Sequence, residues 1–290
     1  MQPVAIVTDS TAYLPDDLLA ARDIHTVSLS VLFPDGTSSL ETDLSDRAAY
    51  WRRLADLEQL PTTSQPSAGA FTEVYEPLLA AGADIVSVHL SGAISGTAAS
   101  AEIAAEMLRG RHPERTIVVC DSRTACGGLG LAALAASAAA TSGEPAHSVA
   151  ARTEVACEAL STWFAVDTLE YLRRGGRVGA AQAWLGSALK IKPILTISGE
   201  ITPIERVRTS RRAFERLLEF ARELRDRGQT AWIVQHIQAD AEAARLVEAA
   251  AGIIGTDPVF VSELGPVIGT HVGPGLLGIG GLPPELLVSS

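Results

Sequence analysis

The chain has 290 residues, enough for one large domain or two packed ones, and its 47% hydrophobic and 20% charged residues exclude a disordered chain. A formal net charge of −11 with scattered basic residues excludes the electropositive footprint expected of a nucleic acid binder. Three cysteines without metal-site spacing, Cys120, Cys126 and Cys157, read as reduced structural thiols rather than a disulfide framework. Met1-Gln2-Pro3 has no basic segment of the kind that opens a signal peptide, so the expected location is the cytoplasm, with at most transient membrane contact.

In chain order, β-branched runs at residues 4–8, 24–33, 85–90 and 116–121 predict strands. Helical stretches at 45–59, 68–81, 97–109 and 129–140 alternate with them, which predicts an α/β layer on a mostly parallel sheet. The Ala-rich run 129–141 is shorter than the roughly 18 apolar residues of a membrane span and reads as a buried helix. A further helix is expected over 145–160, after which the texture changes. Strands are predicted at 162–166, 193–197, 201–207, 232–236 and 258–261, with helices only at 211–226 and 239–251. Ser198-Gly199-Glu200 between two of these strands signals a hairpin, so this half reads as α+β with antiparallel pairing. The expected organisation is an α/β domain over 1–159 and an α+β domain over 160–290, without a flexible linker and with a cleft between them.

Polar clusters fall at the C-terminal ends of the parallel strands, where open sheets bind ligands: Thr8-Asp9-Ser10, Ser91 to Thr97, and Asp121-Ser122. Ser91-Gly92-Ala93-Ile94-Ser95-Gly96-Thr97 joins a strand to a helix and can seat a carboxylate or phosphate; equally, Ser95 can be a plain N-cap. Pro61-Thr62-Thr63-Ser64-Gln65-Pro66-Ser67 is a loop of donors before a helix opening at Pro66 or Ser67, readable as an anion site or as a capped loop. Residues 264–275 carry glycines and prolines that are expected to fix His271 in a stiff loop, where its imidazole can donate to a carboxylate. Asp167 to Val178 reads as a strand end, a short helix and a basic Gly-Gly turn whose arginines complement the helix dipole. Lys190 and Lys192 share one strand face, as a solvated pair or as charge near the cleft.

Taken together in order, these segments, with Ile191-Lys192-Pro193-Ile194-Leu195, resemble the motif set of the DegV family across nearly the whole chain. That family includes the FakB components of bacterial fatty acid kinases. The resemblance implies two domains enclosing an acyl chain in a tunnel at their junction, with no cofactor and no metal. It implies carboxylate binding by Thr63, Ser95 and His271, with Thr62 and Gly96 as secondary polar positions. Arg174 and Arg177 match a basic segment near the mouth, and Arg206 or Arg208 lies where the family has another arginine, serving ligand or partner docking. The implied role is that of a non-enzymatic subunit that sequesters a long-chain fatty acid for phospholipid metabolism. It would present the carboxylate to a partner kinase with its own nucleotide site.

The physical chemistry agrees with that division of labour. Burying a methylene is worth about 0.8 kcal/mol, so roughly fifteen give on the order of 12 kcal/mol before ordering costs, and few polar contacts are needed. A desolvated carboxylate still requires donors, which hydroxyls and an imidazole supply. The rival is a serine hydrolase acting on acyl esters, with Ser95 as nucleophile, His271 as base and Asp121 or Asp167 as orienter. Against it, Gly92-Ala93-Ile94-Ser95-Gly96 is not the Gly-x-Ser-x-Gly elbow. No phosphate-binding glycine fingerprint follows the first strand, which argues against a nucleotide site on this chain.

Overall fold

The apolar run at the N-terminus forms β1 (Val4–Asp9), and the polar residues after it turn the chain back at once. The computed structural model describes residues 3–57, 59–185 and 191–289. After α1 (Asp16–Ala21), β2 (Ile24–Val27) runs parallel to β1, and β6 (Asp84–His89) and β7 (Ile117–Asp121) complete a parallel sheet in the order β2-β1-β6-β7. Every residue of β6 is buried, as expected for a strand covered on both faces. On one face lie α3 (Ala68–Ala80) and α4 (Thr97–Arg109), packing Phe71, Tyr75 and Leu108 against Ile85. On the other lie α5 (Gly127–Thr141) and α6 (Ala146–Ala159).

The single strand expected over 24–33 breaks in two. Leu29 has its N–H taken by Ser10 Oγ at 3.1 Å and its carbonyl taken by the Glu41 N–H at 2.8 Å, so the chain leaves the parallel sheet there. Beyond that point the chain builds a small antiparallel sheet, β4-β3-β5, from β3 (Ser30–Leu32), β4 (Ser38–Leu40) and β5 (Thr62–Ser64). Between β4 and β5 lies α2 (Arg47–Asp56), capped by Asp46 and shorter than the sequence suggests. The hydroxyl cluster around Thr63, expected as a loop, therefore belongs to a strand.

The second half forms a six-stranded sheet, β10-β9-β8-β13-β11-β12. Its members are β8 (Ser161–Ala165), β9 (Lys192–Ser198), β10 (Glu200–Val207), β11 (Ala231–His236), β12 (Phe260–Glu263) and β13 (Leu277–Leu282). The β9–β10 hairpin forms as expected, with Gly199 in the left-handed region at φ +78°. Pairing is antiparallel except between β11 and β12. β13, central to the sheet, is the strand that hydrophobic periodicity misses, because half of its Leu277-Gly278-Ile279-Gly280-Gly281-Leu282 is glycine. Helices α8 (Ser210–Asp226) and α9 (Asp240–Ile254) cover one face of the sheet, packing Leu217, Phe220 and Leu246 against Trp232 of β11. Two short helices complete the chain, α7 (Glu170–Arg174) and α10 (Pro266–Val272).

One helix joins the two sheets. From Gly127 to Ala139 every residue of α5 is buried, so this helix is apolar all round rather than amphipathic. Its core includes Ile6 and Val86 of the parallel sheet and Ile233 and Leu282 of the second sheet. Small Ala and Gly side chains let both sheets approach it; a Cβ on Gly130 would lie 3.0 Å from Phe260 and 3.1 Å from the Ala12 carbonyl. No described helix is long and apolar enough to cross a membrane.

Candidate functional site

An apolar pocket lies between these layers, about 990 Å³ counted out to its opening to solvent. Leu90 and Ile94 line it after β6, Ala125 and Cys126 before α5, and Phe164, Ile197 and Ile233 from the second sheet. Gln235 is held at both ends of its amide: its Oε1 accepts the Gly127 N–H at 2.5 Å and its Nε2 donates to Ser262 Oγ at 2.9 Å. Gln235 is thereby fixed in place, with one Nε2 proton committed to Ser262 and the second uncommitted. Most of the other polar side chains gather in one place, where Thr63, Gln65, Ser95, Arg177 and His271 line the same pocket.

His271 sits on α10, not in a loop. Pro266 occupies the first turn with its φ already helical, the Gly269 N–H reaches Gly265, and Gly273 at φ +73° ends the helix. The glycines and prolines that suggested a stiff loop are the start and stop signals of a short helix. One turn holds Tyr50 OH within 2.6 Å of Thr270 Oγ1, and at Gly269 the Trp51 ring leaves no room for a Cβ. His271 Nε2 and Thr63 Oγ1 are 2.7 Å apart. Burial, and secondarily the Arg177 charge, lower its pKa to about 4, so the imidazole is neutral at physiological pH. Its Nδ1 is buried without a hydrogen-bond partner among the described residues, and a Cβ on Gly175 would collide with that nitrogen.

Ser95 is not an N-cap; Gly96 holds that position, and Ser95 Oγ accepts the Thr97 N–H at 3.3 Å and pairs with Thr97 Oγ1 at 2.8 Å. Gly96 is where Gln65 passes over the loop, since a Cβ there would lie 2.8 Å from Gln65 Nε2. Gln65 belongs to the hydroxyl cluster recognisable in the sequence but was not distinguishable within it. Arg177 donates from Nε to the Ile94 carbonyl at 3.3 Å and from Nη1 to the Gly175 carbonyl at 2.7 Å. Among the described residues no carboxylate neutralises it, so it is the positive charge at this opening.

The remaining expected positions lie elsewhere. Thr62 is exposed and, as the neighbour of Thr63 on β5, faces the opposite side of the strand. Arg174 is exposed and donates to Glu170 at 2.7 Å, sharing that carboxylate with Arg173; the pair holds Glu170 down at about 2. Arg206 is exposed and stacks over the Trp184 ring, 5.3 Å from its centroid. None of the three lines the pocket. Lys192 is paired with Asp167, and Lys190 lies outside the described residues. The hydrolase constellation is not assembled. His271 bonds Thr63 rather than Ser95, Asp167 is held by Lys192, and Asp121 accepts the Gly92 and Arg123 N–H groups at 3.1 and 2.8 Å. A base whose Nδ1 lacks an orienting carboxylate has no triad.

Comparison with known proteins agrees with this architecture. The model of the DegV family, whose description is that of uncharacterised proteins, matches residues 3–283. A DegV domain-containing protein of Streptomyces coelicolor is 40% identical over 279 residues, covering 95% of this chain and 97% of the relative. The solved structure of DegV from Bacillus subtilis, a fatty acid binding protein, superposes with a TM-score of 0.84 at 34% identity, over 97% of this chain and 100% of that one. A DegV family protein from Thermus thermophilus, solved for its fatty acid binding, gives a TM-score of 0.84 at 32% identity, over 97% of this chain and 99% of that one. With family model, relatives and fold in agreement over almost its whole length, the chain belongs to the DegV family.

Proposed function

We propose that this protein binds and sequesters one long-chain fatty acid, its tail in the apolar pocket and its carboxylate at Thr63, Ser95 and His271, and that it carries out no chemistry alone. The observation that carries this reading is the distribution of the pocket lining: Thr63, Gln65, Ser95, Arg177 and His271 stand together, and apart from Thr162 and Gln235 the remaining side chains are almost all apolar. The described fatty acid binding of the Bacillus subtilis and Thermus thermophilus proteins supports it. In the Nε2-protonated tautomer, His271 donates to Thr63 Oγ1, so the threonine proton is free for the ligand and His271 serves the carboxylate through Thr63 rather than as a direct donor. Ser95, already accepting the Thr97 N–H, can donate its own proton. Because His271 is neutral, Arg177 supplies the charge complement.

On this reading the protein acts in the cytoplasm, and the pocket is a tunnel at the junction of two domains that divide near residue 160. A partner fatty acid kinase would phosphorylate the exposed carboxylate. The exposed arginines Arg174 and Arg206 would then serve docking rather than the ligand. The testing experiment is mass spectrometry of an organic extract of the purified protein. A long-chain fatty acid near one per chain supports the reading; an empty protein that hydrolyses acyl esters would restore the hydrolase.

A further inference from the structure

We propose that Glu41 is the positioning residue of the Thr63–His271 pair: a buried carboxylate that locks α10 to the small sheet carrying Thr63. The inference rests on the carboxylate-binding reading of that pair. Glu41 directly follows β4 and is only 6% exposed. Its Oε1 accepts Tyr13 OH at 2.6 Å and the Val267 N–H at 2.8 Å, and its Oε2 accepts Ser10 Oγ at 2.5 Å. Tyr13 OH in turn accepts the Ile268 N–H at 3.2 Å. Two successive N–H groups in the first turn of α10 are thus held, one by the carboxylate and one through the tyrosine.

The same sheet grips the other end of that helix. Leu40, the residue before Glu41, pairs with Ser30 on β3, and Val31 pairs with Thr63 on β5. Thr63 then meets His271 in the last turn of α10. Sheet and helix form a closed frame with Glu41 at one corner and the Thr63–His271 contact at the opposite one. The two donors are therefore spaced by a strand register and a helical rise rather than by loops. Contact at the Glu41 corner is close, since a Cβ on Gly265 would lie 2.7 Å from the Tyr13 ring and 2.8 Å from Glu41 Oε1.

Packing alone does not explain a carboxylate here. An apolar side chain fills a core position without the desolvation cost of a buried ion, a cost that burial expresses by raising the Glu41 pKa. What a polar side chain offers here is one oxygen that accepts Tyr13 OH and the Val267 N–H together, with a second terminal atom for Ser10. Proximity to the positive end of α10 adds a preference for the carboxylate.

The test compares full-length Glu41→Ala and Glu41→Gln with the parent chain. Ring-nitrogen chemical shifts of His271 are read by NMR in lipid-free protein at neutral pH, and palmitate binding is measured separately. Glu41→Ala is expected to abolish the hydrogen-bonded Nε2 signature and to weaken palmitate at least about tenfold, as for loss of a donor to a charged group. Glu41→Gln keeps an acceptor for Tyr13 and Val267 and is expected to retain the signature and most of the affinity. A folded Glu41→Ala with signature and affinity unchanged overturns the proposal, as does a Gln variant no better than Ala. If Glu41→Ala does not fold, Tyr13→Phe removes the link to Ile268, and an unchanged His271 signature in that variant also overturns it. A parent chain that binds no palmitate would remove the fatty acid reading, while the lipid-free His271 signature would still decide the role of Glu41.

Discussion

At His271 the imidazole expected to donate in a stiff loop is a buried neutral ring on a helix, hydrogen-bonded to Thr63. The residue was recognisable in the sequence through its glycine and proline frame, but its charge state was not, because that depends on burial and on Arg177, distant in the chain. Thr63, Ser95 and Arg177 were likewise legible as residue types in polar segments. Gln65 and the anchoring role of Glu41 were not, since both depend on contacts far apart in sequence. The lowered pKa has a definite linkage consequence. The unfolded chain takes up a proton near pH 6.5 and the folded one only near 4, so stability rises with pH across that window and levels off above it. The contribution is on the order of 3 kcal/mol at most. Denaturant unfolding of lipid-free protein should therefore show His271→Gln flattening the slope between those pH values; an equal slope in both proteins would mean that His271 titrates normally.

Among the elements, the parallel strands were legible as short apolar runs, α5 as an Ala-rich run, α8 by its amphipathic pattern, and the β9–β10 hairpin by its Ser-Gly-Glu turn. Two elements were hidden by glycine. In α10 the glycines masked a helix anchored by Pro266, and in β13 they masked a central strand. The β13 pattern has a use. Leu277 and Ile279 alternate toward α8 and α9, which leaves Gly278 on the pocket face of the sheet. Glycine at such a place lets a ligand lie against the backbone. A Cβ on Gly278 would sit 3.1 Å from Phe164 Cβ, so Gly278→Val is expected to cost about 1–3 kcal/mol and to narrow the pocket. Extracts of that variant should carry shorter acyl chains than the parent, measured by mass spectrometry; an unchanged distribution would place the tail elsewhere.

For the whole molecule, a parallel sheet followed by a separate sheet, and a cleft with them, could be read from the change of texture along the chain, whereas the way the cleft is built could not. The pocket arises only when α5 is enclosed by both sheets and α10 is pinned across to the small sheet. The arginines also separate only at this scale. Arg177 lines the opening, whereas Arg174 is turned toward Glu170 on the surface. Arg177→Glu should lower the co-purified fatty acid. Arg174→Glu should leave it near the parent level, because Arg174 is turned to Glu170 on the surface and does not line the pocket. Equal lipid loss in both variants would deny Arg177 its distinct place. The most direct measurement is carbon-13 NMR of the protein loaded with carboxyl-labelled palmitate, in the parent and in the Thr63→Ala, Ser95→Ala double variant. The parent should show one protein-bound carboxyl resonance, displaced from that of palmitate in vesicles, and the double variant should shift or lose it while its melting temperature is kept. A bound resonance identical in both proteins would contradict the assignment of the carboxylate to Thr63, Ser95 and His271.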